Sequence, residues 1–231
     1  MAAVEHNTDD SGTGSGPTAA GRRRDAAATR DAILHSAVVA FTRAGYDGVG
    51  VREIAQGAGV TAMLVNRYFG SKEQLFAEAV DVSFAPRTVV TAGTPGTVDP
   101  GDTAGPGTLS RDIARSLTAR TAPESDHLDP FLLMLRSASN PRAAEIMRAA
   151  TERHVGQDLR DLLPGADAAE RAERAELVLS LITGVWMMRR VIGTTALADA
   201  DPGPLARRIE AMLRVVVEDV DDVKDVGGAD V

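Results

Sequence analysis

The chain has 231 residues, 44% of them hydrophobic, 25% charged and 3% aromatic, a length that suits one large domain or two small ones. It has no cysteine, which excludes a disulfide scaffold, a zinc ribbon and a thiol nucleophile. Its 25 Lys+Arg against 33 Asp+Glu leave a formal net charge of −8, which taken whole argues against nucleic acid as a partner. No apolar run approaches the roughly 18–20 residues of a membrane span. The start, with Glu5, Asp9 and Asp10, lacks the basic-then-apolar order of a signal peptide. A soluble, cytoplasmic protein without a membrane partner is expected.

Residues 1–21 are mostly Gly, Ser, Thr, Ala and acids, with almost nothing to bury, and read as a disordered tail. The composition then shifts at Arg22-Arg23-Arg24. Ile33, Ala37 and Phe41 recur at spacing four, predicting a helix over 26–44 that Gly45 ends. Further helices are predicted near 51–58, 62–69, 72–85, 109–120, 130–138, 141–162, 168–192 and 202–220. Their starts carry cap signals: Asp129-Pro130, Asn140-Pro141 and Asp201-Pro202 pair an acceptor with proline at the first helical position. Ser71 to Gln74 and Asp167 to Glu170 have capping-box spacing. Residues 91–107, rich in Gly, Pro and Thr, read as a flexible loop joining two functional parts. Residues 221–231 read as an acidic, disordered tail. No segment shows strand alternation, so the fold is expected to be all-α.

Residues 51–76, VREIAQGAGVTAMLVNRYFGSKEQLF, are the most informative. Two short helices meet across a tight turn. Ile54 and Ala55 face inward from the first, Gly59 supplies the turn and Val60 plugs the space between. Thr61 caps the second helix, from which Val65 and Phe69 pack inward. This is the pattern of a helix-turn-helix, although the turn alone also fits an ordinary αα corner.

The flanking order of parts narrows the choice. A basic run precedes an apolar helix that ends in Phe-Thr-Arg-Ala-Gly-Tyr, and Tyr68-Phe69-Gly70-Ser71-Lys72-Glu73 opens a fourth helix. Over about residues 25–80 the sequence resembles the DNA-binding domain of the TetR family of bacterial transcriptional regulators. The pieces that carry the resemblance are Phe41 to Tyr46, Ile54-Ala55 with Ala58-Gly59-Val60, and Tyr68-Phe69 to Phe76. Two positions depart from the family pattern: Val49-Gly50 stands where a Thr pair is common, and Asn66 where an aromatic residue is usual.

The resemblance implies a DNA-binding domain over 22–80 and an effector-binding and dimerisation domain over 81–220. The second short helix would enter the major groove of double-stranded DNA. Asn66 could pair with adenine and Arg67 with guanine or a phosphate, unless Arg67 is simply solvated. Ala62, Met63 and Leu64 could touch thymine methyls. Tyr68 and Lys72 match family positions that hold phosphates, and Thr61 can add its hydroxyl and the helix-start amides. Arg52 resembles another backbone or groove contact. Arg22, Arg23 and Arg24 form an arm that either reaches along the minor groove or merely adds local charge.

The second part points to sensing and assembly. The helix at 168–192 bears two apolar stripes, Leu177-Leu181-Val185-Met188-Ile192 and Val178-Ile182-Trp186, wider than burial against one subunit needs. The last helix repeats this with Leu205, Ile209, Met212, Val216 and Val220 beside Leu213 and Val217. In the family the last two helices form a four-helix bundle with a second subunit. The resemblance therefore implies a homodimer on a palindromic operator; a large monomeric core is the alternative. Candidates for an effector pocket are Phe131, Met134, Leu135, Met147, Trp186 and Met187, though each reads first as plain core. His127, His154, Arg136 and Arg189 are candidates for its polar contacts. No ligand set at metal spacing and no cofactor motif is present.

The expected function is a ligand-responsive, DNA-binding transcriptional regulator, foremost a homodimeric repressor released by a small, hydrophobic effector. An activator or ligand-independent regulator of the same fold is the alternative, and an all-α enzyme a distant one. The charge distribution agrees. Residues 22–80 carry eight Lys+Arg and six Asp+Glu, so the acidity lies in the tail and the second part.

Overall fold

In the computed structural model the described residues are 19–84, 106–122 and 130–218. The expected tails before residue 19 and after 218, most of the 91–107 loop, Val220 and His127 lie outside them. Every regular element among the described residues is helical, as the periodicity predicts.

Helix α1 (Ala19–Ala44) starts well before the expected residue 26. The apolar periodicity begins only at Ile33, but the residues ahead of it are mostly Ala and Arg, strong helix formers that extend the helix without a core face. Arg22–Arg24 therefore ride on a helix rather than an extended arm, and Arg23 and Arg24 are exposed. Further along α1, Ile33, Ala37 and Phe41 are fully buried. Helices α2 (Val51–Gly57), α3 (Ala62–Phe69) and α4 (Lys72–Phe84) complete the first unit. Ser36 of α1 donates to the Ile54 carbonyl (2.8 Å), tying α2 down. Phe41 and Phe76 meet edge to face at 5.0 Å, and Tyr46 meets Phe76 at 4.9 Å, geometries that aromatic quadrupoles favour.

The second unit begins with α5 (Pro106–Arg120), α6 (Pro130–Ser137) and α7 (Pro141–Thr151). The predicted helix 141–162 is interrupted by a π turn (Glu152–Gly156) before α8 (Gln157–Leu162). Helix α9 (Ala168–Trp186) likewise runs into a π turn (Met187–Ile192). A short α10 (Thr195–Ala198), which no periodicity signalled, precedes α11 (Pro202–Val217). The cap signals work as chemistry requires. Asn140 accepts from the Ala143 amide (3.0 Å), Asp167 from the amides of Ala169 and Glu170 (both 2.9 Å), and Asp201 from Gly203 (3.0 Å).

The two units meet at the α6–α7 corner and, beyond it, where Asp81 of α4 faces Arg153 and His154 of the π turn. Arg136 donates through Nη1 to the carbonyls of Thr42 and Arg43 (2.7 and 2.8 Å), the last turn of α1. It is thus a structural clamp and not a pocket residue. Ser137 Oγ accepts from the Tyr46 amide (3.0 Å), Asn140 donates to Asp47 (2.9 Å) and Arg142 to Glu73 (3.1 Å). Gly45 makes the close approach possible. Its φ is +73°, and a Cβ there would lie 2.3 Å from the Arg136 carbonyl oxygen. Gly59, in the helix-turn-helix, has φ +68° but open space around the missing Cβ. Gly45→Ala is therefore expected to lower unfolding stability clearly more than Gly59→Ala, whose cost should stay near the ~1–2 kcal/mol of a left-handed backbone. Urea denaturation of both variants checks this; equal losses would mean that the corner yields without cost.

Candidate nucleic-acid interface

The geometry of α3 follows from its two anchors. Val65 and Phe69, four residues apart, are buried, which fixes the rotation of the helix. Arg30 lies over the Phe69 ring at 4.9 Å and pairs with Glu78, holding the exit of α3 against α1 and α4. The Thr61 hydroxyl caps the start, accepting from the Leu64 amide at 3.4 Å. The turn before it closes with the Val60 amide donating to the Ala55 carbonyl (2.9 Å).

With the anchors inward, the opposite face is offered to solvent. Met63 is 79% exposed, Asn66 and Arg67 are exposed, and Ala62 and Leu64 are half-buried at the edge. Arg52 is exposed on α2. Gly50 stands at the N-cap of α2 without a side-chain bond, and its carbonyl accepts from Glu53 and Ile54. Its neighbour Val49 is buried in the core, so this departure from the Thr pair exchanges hydroxyls for packing.

Tyr68 sits in the last turn of α3 and Lys72 opens α4, both half-buried. The Lys72 ammonium lies 4.5 Å from the centre of the Tyr46 ring, a cation–π contact that orients the charge at the first turn of α4. Burial, then the carboxylates of Glu73 and Asp47, push the Tyr46 phenol pKa up, so the ring stays neutral. Tyr46 is the residue that the sequence reading left without a role. Its backbone amide meets Ser137, its ring meets Phe76 and Lys72, and its signal was its place at the end of Phe-Thr-Arg-Ala-Gly-Tyr.

The pocket candidates do not all converge. Phe131 and Trp186 do, with ring centres 5.3 Å apart, and Met147 is buried. Met134 and Met187 are half-buried, while Leu135 faces outward, 45% exposed. His154 has other partners: its Nε2 lies 2.9 Å from Asp81 of α4, and its ring stacks on Phe84. Arg153 pairs with the same Asp81 oxygen. Among the described residues no group of His, Asp and Glu is placed to hold a metal ion.

The two stripes of α9 separate by function of burial. Val178, Ile182 and Trp186 turn inward; Leu177 is 49% exposed, and Leu181, Val185 and Met188 are half-buried. On α11, Leu205, Ile209, Leu213 and Val217 are buried, and Met212 (47% exposed) and Val216 lie toward the outside. Ile209 was a candidate for the subunit interface. It has no exposed surface, because the four-residue repeat through Leu205 and Leu213 points it at the chain's own core.

Comparison with known proteins matches these units. Residues 33–79 match the family described as bacterial regulatory proteins, tetR family, and residues 108–217 match the tetracyclin repressor-like C-terminal domain. Among solved structures, a TetR-family transcriptional regulator from Agrobacterium tumefaciens superposes with a TM-score of 0.56 at 19% identity, covering 81% of this chain and 98% of that one. A transcriptional regulator from Rhodococcus sp. Rha1 gives 0.55 at 23% identity, covering 82% and 96%. The multidrug binding protein EbrR, complexed with proflavin, gives 0.54 at 18% identity, covering 82% and 99%. No curated protein matches in sequence. Among the described residues no helix is long and apolar enough to cross a membrane. With a helix-turn-helix unit and a following helical domain each matched by its own family model, the chain belongs to the TetR family and is a DNA-binding transcriptional regulator.

Proposed function

We propose that the protein is a homodimeric repressor that binds a palindromic operator in the cytoplasm and is released by a small-molecule effector. The observation that carries the DNA reading is the outward face of α3, where Met63, Asn66 and Arg67 stand clear while Val65 and Phe69 hold the helix in place. In the major groove that face meets base edges, with Asn66 suited to adenine and Arg67 to guanine or phosphate. Thr61, Tyr68 and Lys72 supply the phosphate contacts that set register, with Arg52 beside them. Arg22–Arg24, on the first turns of α1, add positive charge near the duplex without reading it. The domain limits follow: DNA binding over 22–80 and effector binding with dimerisation over 81–220.

The outward apolar surface of α9 and α11 supports the dimer. Leu177, Leu181, Val185 and Met188 on one helix and Met212 and Val216 on the other leave a band that a second copy would cover. Two subunits so joined present two α3 helices, which fit half-sites about 34–36 Å apart. The Phe131–Trp186 pair supports an effector site with an apolar, aromatic wall. The likeness to EbrR, which binds proflavin, adds to that support without naming an effector.

Selection of bound DNA from a random pool, followed by gel shifts on the selected site, tests the reading; recovery of unrelated or non-palindromic sequences would overturn it. Asn66→Ala should relax preference at one position per half-site by ~1–3 kcal/mol, read as competition between operator variants. Uniform weakening on all sequences would remove Asn66 from base reading. Lys72→Ala should weaken binding to every sequence and lower the slope of log affinity against log salt by about one per half-site; an unchanged slope would remove that phosphate contact. The double variant Leu177→Asp with Met212→Asp should sediment as the 24.2 kDa monomer, where the unaltered chain runs at twice that mass. Operator affinity should then fall more than ~10-fold with the loss of linked half-site binding. A wild-type chain that is already monomeric at micromolar concentration would refute the dimer.

A further inference from the structure

The π turn that ends α9 carries an arginine into the interior of the second unit. Arg189 is only 6% exposed. Its Nε donates to the Leu197 carbonyl (2.9 Å), and its Nη1 donates to the Thr118 carbonyl (3.1 Å) and to the Thr121 hydroxyl. All three acceptors are neutral. Among the described residues no carboxylate pairs with this guanidinium, and its Nη2 donates to nothing. The other buried polar side chains of the second unit are Ser and Thr hydroxyls.

Neutral acceptors orient a buried guanidinium but do not balance it. Arginine keeps its proton in proteins, so the charge cannot be shed. Burial, with Arg190 adjacent, pushes its pKa down, which is the signature of a charge held where it is disfavoured. The end of α5 returns part of the cost, because Thr118 and Thr121 lie where the helix dipole is negative. A full negative charge would return far more. The local backbone is also of the kind that proteins keep for sites: π turns inside helices occur frequently where function is. Trp186, whose ring meets Phe131, immediately precedes the turn, so an apolar wall stands close along the chain.

We propose that Arg189 is the recognition point for a carboxylate on the effector, which is therefore an organic acid with an apolar body rather than a neutral hydrocarbon-like molecule. This rests on the effector-release reading above. Nη2 offers the open edge of the fork to the carboxylate, and the aromatic pair takes the apolar body.

Trp186 is the chain's one tryptophan, so its emission reports on the site directly. The full-length protein is titrated with decanoate and benzoate, with decanamide and benzamide as neutral counterparts, and with inorganic phosphate, at constant ionic strength. Thermal melting and Trp186 emission are read. Decanoate or benzoate should raise Tm and shift the emission, with the matching amide at least ~10-fold weaker, as loss of a charged hydrogen bond implies. Arg189→Gln should abolish the difference between acid and amide; Arg189→Lys should keep part of it and serves if the Gln variant does not fold. Acid and amide acting alike, or no response to any acid, overturns the proposal. A response to phosphate alone overturns the carboxylate. Glu124, Asp126 and Asp129 lie outside the described residues, and their neutralisation as Glu124→Gln, Asp126→Asn and Asp129→Asn tests an internal counter-ion. A stability loss in that variant that disappears in the Arg189→Gln background would also overturn the proposal.

Gel shifts on the selected operator separate the two levels. Amides that release DNA as well as acids do would sink the anionic class and leave effector release standing. Acids that bind without releasing DNA would support the Arg189 site and sink release.

Discussion

The carboxyl end of α1 is the point on which the arrangement of the two units depends. A helix leaves its last carbonyls without partners, and here two of them are taken by the Arg136 guanidinium from α6. The contact is close because Gly45, in a left-handed conformation, lets the Arg136 backbone lie against the helix end. The reading head inherits its position from that fixed end. Ile33, Ala37 and Phe41 carry the core on which α2, α3 and α4 pack, and Ser36 holds the Ile54 carbonyl. The Arg136 contact is thus joined through the core of α1 to the anchors of α3, and α4 adds a second tie through Asp81 to Arg153 and His154.

Tyr46 extends the same connection to the charge that faces DNA on the proposed reading. Its amide donates to Ser137 at the end of α6, and its ring carries Lys72. The phosphate contact proposed for Lys72 is therefore built on a residue tied to the second unit. Close by, Glu73 and Asp47 take Arg142 and Asn140 from the start of α7. Those two carboxylates would otherwise repel phosphates beside Lys72; their engagement from α7 turns part of their charge away from the duplex. Thus the chain's net negative charge is compatible with DNA binding because of where the acids are held, and not only because of how few lie in the first unit.

How much of this was legible in the sequence depended on whether the information was local. Helix limits near 51–69 and caps at Asn140, Asp167 and Asp201 were readable because each rests on residues within a turn of one another. The double stripes of α9 and α11 were visible too, but the sequence could not assign the inner stripe. Ile209 went to the wrong side because Met212 and Leu213 both continue a helical repeat from it, and only packing chooses between them. The early start of α1 escaped because residues 19–32 are helical by propensity, with no core period to show it. The π turns and α10 left no local mark. Arg136 and Arg189 were indistinguishable as candidates for polar contacts. Except for the Leu197 carbonyl that Arg189 also meets, their partners lie more than sixty residues away in the chain, and those partners make one a clamp and the other a buried charge.

The strength of the α6–α7 corner bears on what an effector must supply. Charged hydrogen bonds are worth ~1.5–3 kcal/mol each, and Arg136 makes two to backbone carbonyls, whereas the Arg142–Glu73 pair is exposed to solvent and screened. The corner as a whole is therefore worth several kcal/mol. Moving a two-state equilibrium from one side almost wholly to the other takes about 5.5 kcal/mol of differential binding. The two quantities are of the same order, so on the proposed effector-release reading a rearrangement of this corner would suffice without melting any helix. It also sets a division of labour among the contacts. The Asn140–Asp47 and Arg142–Glu73 pairs are exposed side-chain contacts, whereas the Arg136 clamp engages two backbone carbonyls beside Gly45. On the proposed reading, an effector carboxylate pairing with the buried Arg189 charge would supply energy on the scale of this corner.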